Sequence, residues 1–556
     1  MDDISILIGG KAGFGIDKSG SILSYMVNRL GYSVYVYRDY PSVIRGGHTF
    51  SMIRAASGRI SAHKDKVDYL LALNQDTVIF HSSRLKPDSV IIYDADTVKC
   101  EGVCPVKNAI GIPVGKILKE EGAPEVMRNT CAISALAKAL GIGWDIFEQV
   151  LRKEISKDIE MNLKVARRVY DNASTLASIK PLGKTPLPLL TGNEAIGLGL
   201  VRGGLKAYIS YPMTPTSPIL HFLAAAANEF NLKVLHPESE IGVILMALGF
   251  SYCGEPVAVG TSGGGFCLMT EGLSFSGMAE LPIVIVLGQR PGPSTGLPTY
   301  TSQTELHFAL HAGQGEFVRF VVAPGDAEEA FFWSAVSMNV SRKFQIPSIV
   351  LTDKTVCEGV YNFDIGAIDK IDAETAASWD GKSPYKRYGV TANGVSQLAI
   401  VPAKGAVVKI NSYEHDEYGI TTEDPEISTK MNDKRLLKSR PLMEDLKRYR
   451  PVRSYGNKNS STVILCWGSN KGVCVEAAQG LGLKVVQPVV LSPFPIEAFK
   501  EELKGAKKLI LVENSATGQL KTMLSSYGIN IDSQVLKYDG RPFSVNELET
   551  ELKKVL

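Results

Sequence analysis

The sequence lacks several features on which whole classes of protein depend. Its clean apolar stretches, such as IVIVL at 283–287, are far shorter than the ~20 residues of a membrane-spanning helix. Lys and Arg number 60 and Asp and Glu 58, so the net charge of +2 excludes the basic excess typical of a nucleic-acid coat. The first residues, MDDI, lack the basic region of a signal peptide. We therefore expect a cytoplasmic protein without a membrane or nucleic-acid partner.

Cysteine is present but not at the spacing of a metal cluster. Of the eight cysteines only Cys100 and Cys104 are close, as C-x-x-x-C, whereas an iron–sulfur cluster needs several thiolates at C-x-x-C spacing. We expect free thiols in a reducing compartment and no metal ligands in this chain.

The 556 residues predict about three to four domains at ~150 residues each. Apolar runs that end in glycine turns and lead into helical patterns predict three α/β domains with mainly parallel sheets. We place them at 1–180, 190–365 and 456–556, with a Pro-rich linker at 181–189 and an irregular connecting region at 366–455. The candidate strands are 4–8, 33–37, 69–73, 77–80, 90–93, 207–210, 233–235, 256–260, 282–287, 316–322, 347–351, 461–467, 484–490 and 508–512.

The connecting region separates its charges. Residues 411–426 carry acidic side chains and no Lys or Arg, whereas 430–458 carry ten Lys or Arg against three acidic residues. Two interpretations remain open: a solvated helix that grips another domain, or a site for phosphate or an acidic partner.

Two loops of the first domain are candidates for binding an anion. GGKAGFG at 9–15 joins a strand to a helix, where backbone N–H groups can cradle a phosphate. Its spacing is not G-x-G-x-x-G, so tight packing of strand and helix is the alternative, although Asp39 is a candidate ribose ligand. Arg45, in SVIRGGH at 42–48, suits an anion or a structural ion pair.

The middle domain carries four loops at predicted strand ends, where ligands of α/β sheets bind. In YPMTPTSP, at 211–218, prolines fix a backbone lined with hydroxyl groups, which suits a small polar substrate or a stiff turn. Glu238 and Glu240 precede a helix, either as acid–base groups or as first-turn residues. GTSGGGF follows at 260–266, and Arg290 ends another strand, where it suits a substrate carboxylate or a structural ion pair.

Together these motifs resemble the 2-oxoacid:ferredoxin oxidoreductase family, specifically its alpha subunit in the fused gamma–alpha form, over nearly the whole chain. The matching strings are RGG at 45–47, YPMTP at 211–215 with Met213 for Ile, GTSGGGF at 260–266 with Gly264 for Pro, GPSTGLPT at 292–299, EHDE at 414–417, WGS at 467–469, PFP at 493–495 and ATGQL at 516–520. The resemblance implies a gamma-type first domain, a thiamine-diphosphate pyrimidine-binding type in the middle and a transketolase C-terminal-like type last.

The resemblance also implies an activity: oxidative decarboxylation of a 2-oxoacid with coenzyme A, using thiamine diphosphate and passing electrons to ferredoxin. The alpha subunit holds the aminopyrimidine half of the cofactor, and a beta subunit supplies the diphosphate–Mg²⁺ site and a [4Fe-4S] cluster. This division fits the lack of a G-D-G…Asn signature; the nearest string, GDA at 325–327, predicts a helix N-cap. The implied assembly is a heterodimer or a dimer of heterodimers.

Site residues follow from the resemblance. Glu240 would hydrogen-bond the pyrimidine ring nitrogen and favour the imino tautomer, with Glu238 as the substitute if the alignment shifts by two. Arg290 would bind the substrate carboxylate, and Thr214 would hydrogen-bond the 2-oxo or carboxylate oxygen and orient attack. The cofactor-binding set is Glu240, Tyr211, Pro212, Thr214, Gly263 and Gly264.

The substrate is less determined. After GLPT the family often has a basic residue, and here stands Tyr300. The fused layout favours 2-oxoglutarate or a broad range over pyruvate. The alternatives are a non-catalytic paralogous binding subunit and a nucleotide-dependent dehydrogenase.

Overall fold

The computed structural model describes residues 3–42, 47–100 and 108–556. Arg45 therefore lies outside the described residues. The elements of the first part are strands β1 Asp3–Lys11, β2 Ser33–Asp39, β3 His48–Ala56, β4 Val67–Ala72, β5 Leu85–Asp94 and β6 Asn108–Ile112, and helices α1 Ile16–Arg29, α2 Gln75–His81, α3 Val114–Glu121, α4 Arg128–Ala139, α5 Trp144–Glu154 and α6 Ile159–Asn172.

The first sheet combines parallel and antiparallel strands. β1, β4, β5 and β6 are parallel neighbours, whereas β3 pairs antiparallel with both β1 and β2. β1 and β2 thus run in one direction with β3 between them. The sequence did not predict β3, which contains the buried Arg54; its guanidinium donates to the Asp3 carboxylate at 2.8 and 3.0 Å, which compensates the charge.

One predicted strand, 77–80, is wrong. These residues lie in helix α2, which begins after Asn74. The Asn74 side chain accepts hydrogen bonds from the backbone N–H and the hydroxyl of Thr77 at 3.2 and 2.6 Å. This N-cap stabilises a helix where the β-branched residues alone favoured a strand.

The middle part alternates strands and helices. Its elements are β7 Leu189–Thr191, β8 Ala207–Ser210, β9 Lys233–Leu235, β10 Val257–Ser262, β11 Ile283–Gln289, β12 Phe320–Val322, β13 Pro347–Asp353 and β14 Val360–Asn362, with α7 Gly192–Arg202, α8 Ser217–Ala225, α9 Ala227–Phe230, α10 Glu240–Tyr252, α11 Gly263–Ala279, α12 Leu306–His311, α13 Ala327–Phe344 and α14 Lys354–Glu358. The second sheet has the order β18-β12-β13-β11-β10-β8-β9, in which only β18, a later strand, is antiparallel among the described pairings.

The last part forms the third sheet. Its elements are α15 Pro425–Leu437, α16 Ser439–Leu446, β15 Val452–Gly456, β16 Thr462–Leu465, α17 Asn470–Leu481, β17 Lys484–Pro488, β18 Val490–Ser492, α18 Ile496–Glu502, β19 Lys508–Glu513, α19 Gln519–Ser525, β20 Ser533–Leu536 and α20 Val545–Val555. The sheet order is β15-β17-β16-β19-β20, with β15 antiparallel. Three α/β sheets, in which most of the described strand pairs are parallel, confirm the predicted fold class.

The chain divides into two compact units. One contains Met1–Leu190 with Glu358–Asp364 and Ser544–Thr550, and the other contains the second and third sheets. In this second unit a single hydrophobic core runs from β10 and β11 to Trp467 and Leu511. The proposed domain boundaries remain predictions. Within the described ranges, none of the helices combines the length and apolar character that a bilayer crossing needs.

The basic stretch of the connecting region forms ion pairs with a buried carboxylate. Glu280, which follows α11, contacts Lys434 Nζ at 2.7 Å and Lys438 Nζ at 2.5 Å, and all three side chains are buried. The Arg387 guanidinium donates to the Glu280 carbonyl oxygen at 2.8 Å. The cations hold the pKa of Glu280 below its usual range, although burial alone would raise it. Part of the basic stretch is therefore structural.

Replacing Glu280 by Gln is expected to destabilise the second unit by about 3–5 kcal/mol, because the buried ammonium groups of Lys434 and Lys438 lose their counter-charge. Denaturant unfolding monitored by tryptophan fluorescence measures the change. The matched control is Glu444→Gln, which breaks an exposed pair with Lys447 and should cost less than about 1 kcal/mol. Equal stability of both variants would contradict a stabilising role for the cluster.

Candidate active site

Three parallel neighbours, β8, β10 and β11, bring the predicted loops to one edge of the second sheet. Ser210 pairs with Gly260, and Ser262 pairs with Gly288, so the three strands end at about the same level. The carboxyl ends of these strands carry the proline-rich loop, the triple-glycine turn and Arg290. The sheet thus gathers at one edge residues that lie up to 80 positions apart.

The proline-rich loop after β8 is held from two sides. The Thr216 hydroxyl donates to the carbonyl oxygens of Met213 at 3.1 Å and Thr261 at 3.3 Å. The Asn193 amide donates to the Pro215 carbonyl oxygen at 3.0 Å. These bonds hold Tyr211, half-buried Pro212 and half-buried Thr214 in one conformation. A fixed loop can orient a small ligand without a large entropic cost.

Thr214 and Arg290, predicted from separate motifs, are in contact. Arg290 Nη1 donates to the Thr214 carbonyl oxygen at 3.2 Å. Partial burial lowers the pKa of Arg290, with Glu305 acting in the opposite direction, yet an arginine stays charged at neutral pH. The guanidinium is thus a half-buried cation joined to the loop after β8, an arrangement that suits a carboxylate ligand.

Glu240 and Glu238 differ in their surroundings. Glu240 is the first residue of α10 and is buried, whereas Glu238 is exposed. The Glu240 carboxyl packs against the backbone of α11, since a Cβ added to Gly265 would lie 2.5 Å from Glu240 Oε1 and 2.2 Å from Thr261 Oγ1. Only glycine leaves room for this carboxyl, so burial favours Glu240 over Glu238 as an acid–base group.

The first turn of α11 has few side-chain atoms and no capping hydrogen bond from a side chain. Gly263 is its first residue, the N-cap Ser262 makes no capping hydrogen bond with its side chain, and a Cβ on Gly264 would meet nothing within 4 Å. Among the described residues, the buried Ser262 hydroxyl has no hydrogen-bond partner. First-turn N–H groups and a partner-free hydroxyl beside a buried carboxyl can receive a polar ring.

Gly265→Ala is expected to lower turnover on the order of a hundredfold, because the new methyl group displaces the Glu240 carboxyl. Alanine favours helix more than glycine, so loss of α11 would not explain the effect. The matched control is Gly58→Ala, where a Cβ meets nothing within 4 Å and activity should be retained. The measurement is the kcat of each variant relative to that of the native protein. Equal relative kcat values for Gly265→Ala and Gly58→Ala would contradict the close packing of Glu240.

The loop after Arg290 contacts the segment that follows the third sheet. The Thr301 backbone N–H donates to the Gly540 carbonyl oxygen at 3.0 Å, and the Arg541 guanidinium lies 4.0 Å from the centroid of the Tyr300 ring. Tyr300 occupies the position after GLPT, where the family often has a basic residue. The structure places an arginine from a distant part of the sequence on its ring.

The sequence analysis missed one site residue, Glu305. Its carboxyl lies against Gly263 at the beginning of α11, and burial raises its pKa to about 7. It comes 15 residues after Arg290, beyond a long loop, so a search limited to strand ends overlooks it. The signal available in the sequence was an acidic residue immediately before an apolar helix, Leu306–His311.

The first sheet offers less support for a dinucleotide site. Asp39, the candidate ribose ligand, is buried and accepts a hydrogen bond from the Tyr37 hydroxyl at 2.8 Å. The glycine loop leads into α1 through Gly15, which has a positive φ of 72°. A Cβ on Gly15 would lie 2.7 Å from the Asn129 amide, so close packing explains this glycine.

Comparison with known proteins places these sites in context. Residues 199–433 match the family model described as pyruvate flavodoxin/ferredoxin oxidoreductase, thiamine diphosphate-binding, and 5–172 match that of pyruvate ferredoxin/flavodoxin oxidoreductase. The chain is 30% identical to the 2-oxoacid:ferredoxin oxidoreductase subunit alpha of Sulfolobus sp, covering 100% of this chain and 97% of that one. It is 31% identical to the subunit alpha of Saccharolobus solfataricus, covering 100% and 98%.

A solved structure is also similar over the full length. The 2-oxoglutarate:ferredoxin oxidoreductase from Magnetococcus marinus, with 2-oxoglutarate, coenzyme A and succinyl-CoA bound, superposes with a TM-score of 0.89 at 28% identity. The match covers 100% of this chain and 99% of that chain.

Proposed function

The chain belongs to the 2-oxoacid:ferredoxin oxidoreductase family as an alpha subunit of the fused gamma–alpha form, and from this premise we propose its reaction. With a beta subunit it decarboxylates a 2-oxoacid oxidatively in the presence of coenzyme A. The bond between the carboxylate and the 2-oxo carbon breaks and CO₂ leaves. A thioester to coenzyme A forms, the thiol proton of coenzyme A is released, and two electrons pass to ferredoxin. The observation that carries the proposal is the contact between Thr214 and Arg290 at the sheet edge where β10 ends.

The residues at the beginning of α11 fit the aminopyrimidine ring of thiamine diphosphate. Glu240 is a buried carboxyl held against Gly265, and the first turn of α11 at Gly263 and Gly264 is open. Thiamine diphosphate, when bound, supplies the carbon nucleophile that adds to the 2-oxo group. Glu240 holds a proton between its carboxyl and a ring nitrogen, and Tyr211 and Pro212 shape the wall of the pocket.

The chain's other residues orient the acid. Arg290 binds the carboxylate of the 2-oxoacid, since a guanidinium grips a carboxylate with two parallel hydrogen bonds. The Thr214 hydroxyl donates to an oxygen of the substrate and aligns the 2-oxo carbon for attack. Because the Arg290 guanidinium also donates to the Thr214 backbone, the two groups are positioned together.

A beta subunit completes the site. Apolar side chains beside Glu240 are about half exposed: Ile241, Leu245 and Met246 on α10 and Leu268 on α11. An exposed apolar patch is typical of an interaction surface. We place the beta subunit here, where it brings the diphosphate–Mg²⁺ site and the [4Fe-4S] cluster close to Glu240. The assembly is a heterodimer or a dimer of heterodimers.

We propose 2-oxoglutarate, or a broad range of 2-oxoacids, over pyruvate. The similarity to a structure with 2-oxoglutarate bound supports this choice, as does a further cation, Arg541, beside the loop that follows Arg290. A dicarboxylic acid needs a second cation for its distal carboxylate.

The test is an anaerobic assay of the co-purified alpha and beta subunits with thiamine diphosphate, Mg²⁺, coenzyme A and a viologen dye. Pyruvate, 2-oxoglutarate and a branched 2-oxoacid are supplied in turn. We expect dye reduction with the highest kcat/KM for 2-oxoglutarate. A stable, cofactor-loaded complex that reduces no dye with any acid would favour the non-catalytic paralogue.

A further inference from the structure

Glu305 brings a second carboxyl group to the active site. Its backbone N–H donates at 3.1 Å to Oε1 of Gln289, the residue immediately before Arg290. The Thr304 hydroxyl donates to Glu305 Oε1 at 3.2 Å, and this same oxygen lies 2.9 Å from the position of a Cβ on Gly263. The side chain is thus fixed between the end of β11 and the beginning of α11.

The other carboxyl oxygen lacks a partner. Glu305 Oε2 is inaccessible to solvent and has no hydrogen bond within the part of the chain that the structure describes. A buried, unsatisfied oxygen penalises the ionised carboxylate more than the neutral acid. Burial is the largest cause that raises the pKa of Glu305 to about 7, and Asp353 acts in the same direction, while Thr304 and Arg290 oppose it.

Within the described ranges, two charged side chains act most on Glu305. Arg290, after β11, is a cation, and Asp353, at the end of β13, is an anion. Asp353 accepts hydrogen bonds from the Ser469 hydroxyl at 2.5 Å and from the Thr355 backbone N–H at 2.8 Å, and burial raises its pKa. Gln289, Thr304, Gly263 and Ser262 are uncharged. Glu305 is in turn the charged side chain that acts on Arg290, so loss of the Glu305 proton strengthens the negative field at this guanidinium.

We propose that Glu305 is a positioning residue for the substrate carboxylate, acting through Arg290. As a neutral acid it does not compete with the substrate carboxylate for the positive charge of Arg290. As a carboxylate it competes for that charge and weakens substrate binding. This inference rests on the proposed function, in which Arg290 binds the carboxylate of the 2-oxoacid. It follows that 2-oxoacid binding takes up a proton above neutral pH, because a second negative charge beside Arg290 favours the neutral form of Glu305.

The first experiment measures kcat and KM for 2-oxoglutarate from pH 6 to 9 on the assembled complex. For the native enzyme we expect KM to rise about tenfold between pH 7 and 9, because the unfavourable ionised form of Glu305 accumulates there. Glu305→Gln should keep a low KM at pH 9, because its side chain does not ionise and its KM therefore loses the dependence on pH. The control, Glu501→Gln on the exposed side of α18, should follow the native profile, and Glu305→Asp should restore a rise in KM.

The second experiment is independent of turnover. Calorimetric titration of 2-oxoglutarate into the complex without thiamine diphosphate, at pH 8 in two buffers of different ionisation enthalpy, counts the protons taken up. We expect uptake by the native complex and none by Glu305→Gln. Identical proton uptake and identical KM profiles in the native and Glu305→Gln complexes would overturn the role of Glu305. A native complex that turns over no 2-oxoacid would instead refute the proposed function, while the titration still decides the role of Glu305.

Discussion

Glu240→Gln in the assembled complex is expected to lower kcat by about a hundred- to ten-thousandfold, the range of a positioned acid–base group. The amide has almost the shape of the carboxyl and fits beside Gly265, so packing against α11 is retained. It cannot exchange a proton with the pyrimidine ring nitrogen. KM for the 2-oxoacid should change little, because Glu240 faces the cofactor in this account. Steady-state dye reduction under anaerobic conditions is the measurement.

The control for this prediction is Glu238→Gln. Glu238 precedes the same helix but is exposed, so its loss should leave kcat within about twofold. The reverse outcome, an inactive Glu238 variant and an active Glu240 variant, would show that the alignment to the family is shifted by two residues. Full activity of both variants would contradict an acid–base role for either carboxyl.

Arg290→Leu is expected to lower kcat/KM for the 2-oxoacid by about a hundred- to a thousandfold, because a charge-assisted hydrogen-bonded pair is lost. The effect should appear mainly in KM. Arg290→Lys should recover only part of the loss, since an ammonium group keeps the charge but cannot make two parallel hydrogen bonds. Kinetics at saturating coenzyme A, with the 2-oxoacid varied, measure both parameters.

The matched control replaces an exposed arginine, Arg152 of α5, by leucine. It should not alter kcat/KM. An Arg290 variant with normal KM for every 2-oxoacid would contradict the assignment of the substrate carboxylate to this guanidinium. A fall in kcat alone would indicate that Arg290 positions the Thr214 loop, to which it donates a hydrogen bond, rather than the substrate.

The sequence predicted the site where local rules apply and failed where the site depends on tertiary packing. Thr214 and Arg290 lie in loops that follow apolar runs, so the rule of strand carboxyl ends predicted that both lie at one edge of the sheet. The resemblance already favoured Glu240 over Glu238, and the structure adds a physical reason, because Glu240 is buried against Gly265 whereas Glu238 is exposed. Glu305 was missed because Gln289 brings it back to the strand end after a long loop.

The fold shows the same pattern. The strands that surround the site, β8, β10, β11 and β13, are apolar runs between glycine or proline turns, and each was predicted within two residues. β3 was not, because its buried Arg54 makes the segment look polar until Asp3 is placed beside it. β18 joins the second sheet although its sequence lies between strands of the third, a pairing that no local pattern indicates.

In the proposed reaction this chain supplies one half of an active site shared with a beta subunit. The most direct test is anaerobic release of CO₂ from 2-oxoglutarate that is labelled in the carboxylate next to the 2-oxo group. The assay contains thiamine diphosphate, Mg²⁺, coenzyme A and ferredoxin. The chain alone, the beta subunit alone, their complex and the complex carrying Glu240→Gln are compared. We predict release by the native complex, none by either chain alone, and release slower by at least about a hundredfold in the Glu240→Gln complex. Release by the chain alone, or undiminished release by the Glu240 variant, would contradict the account.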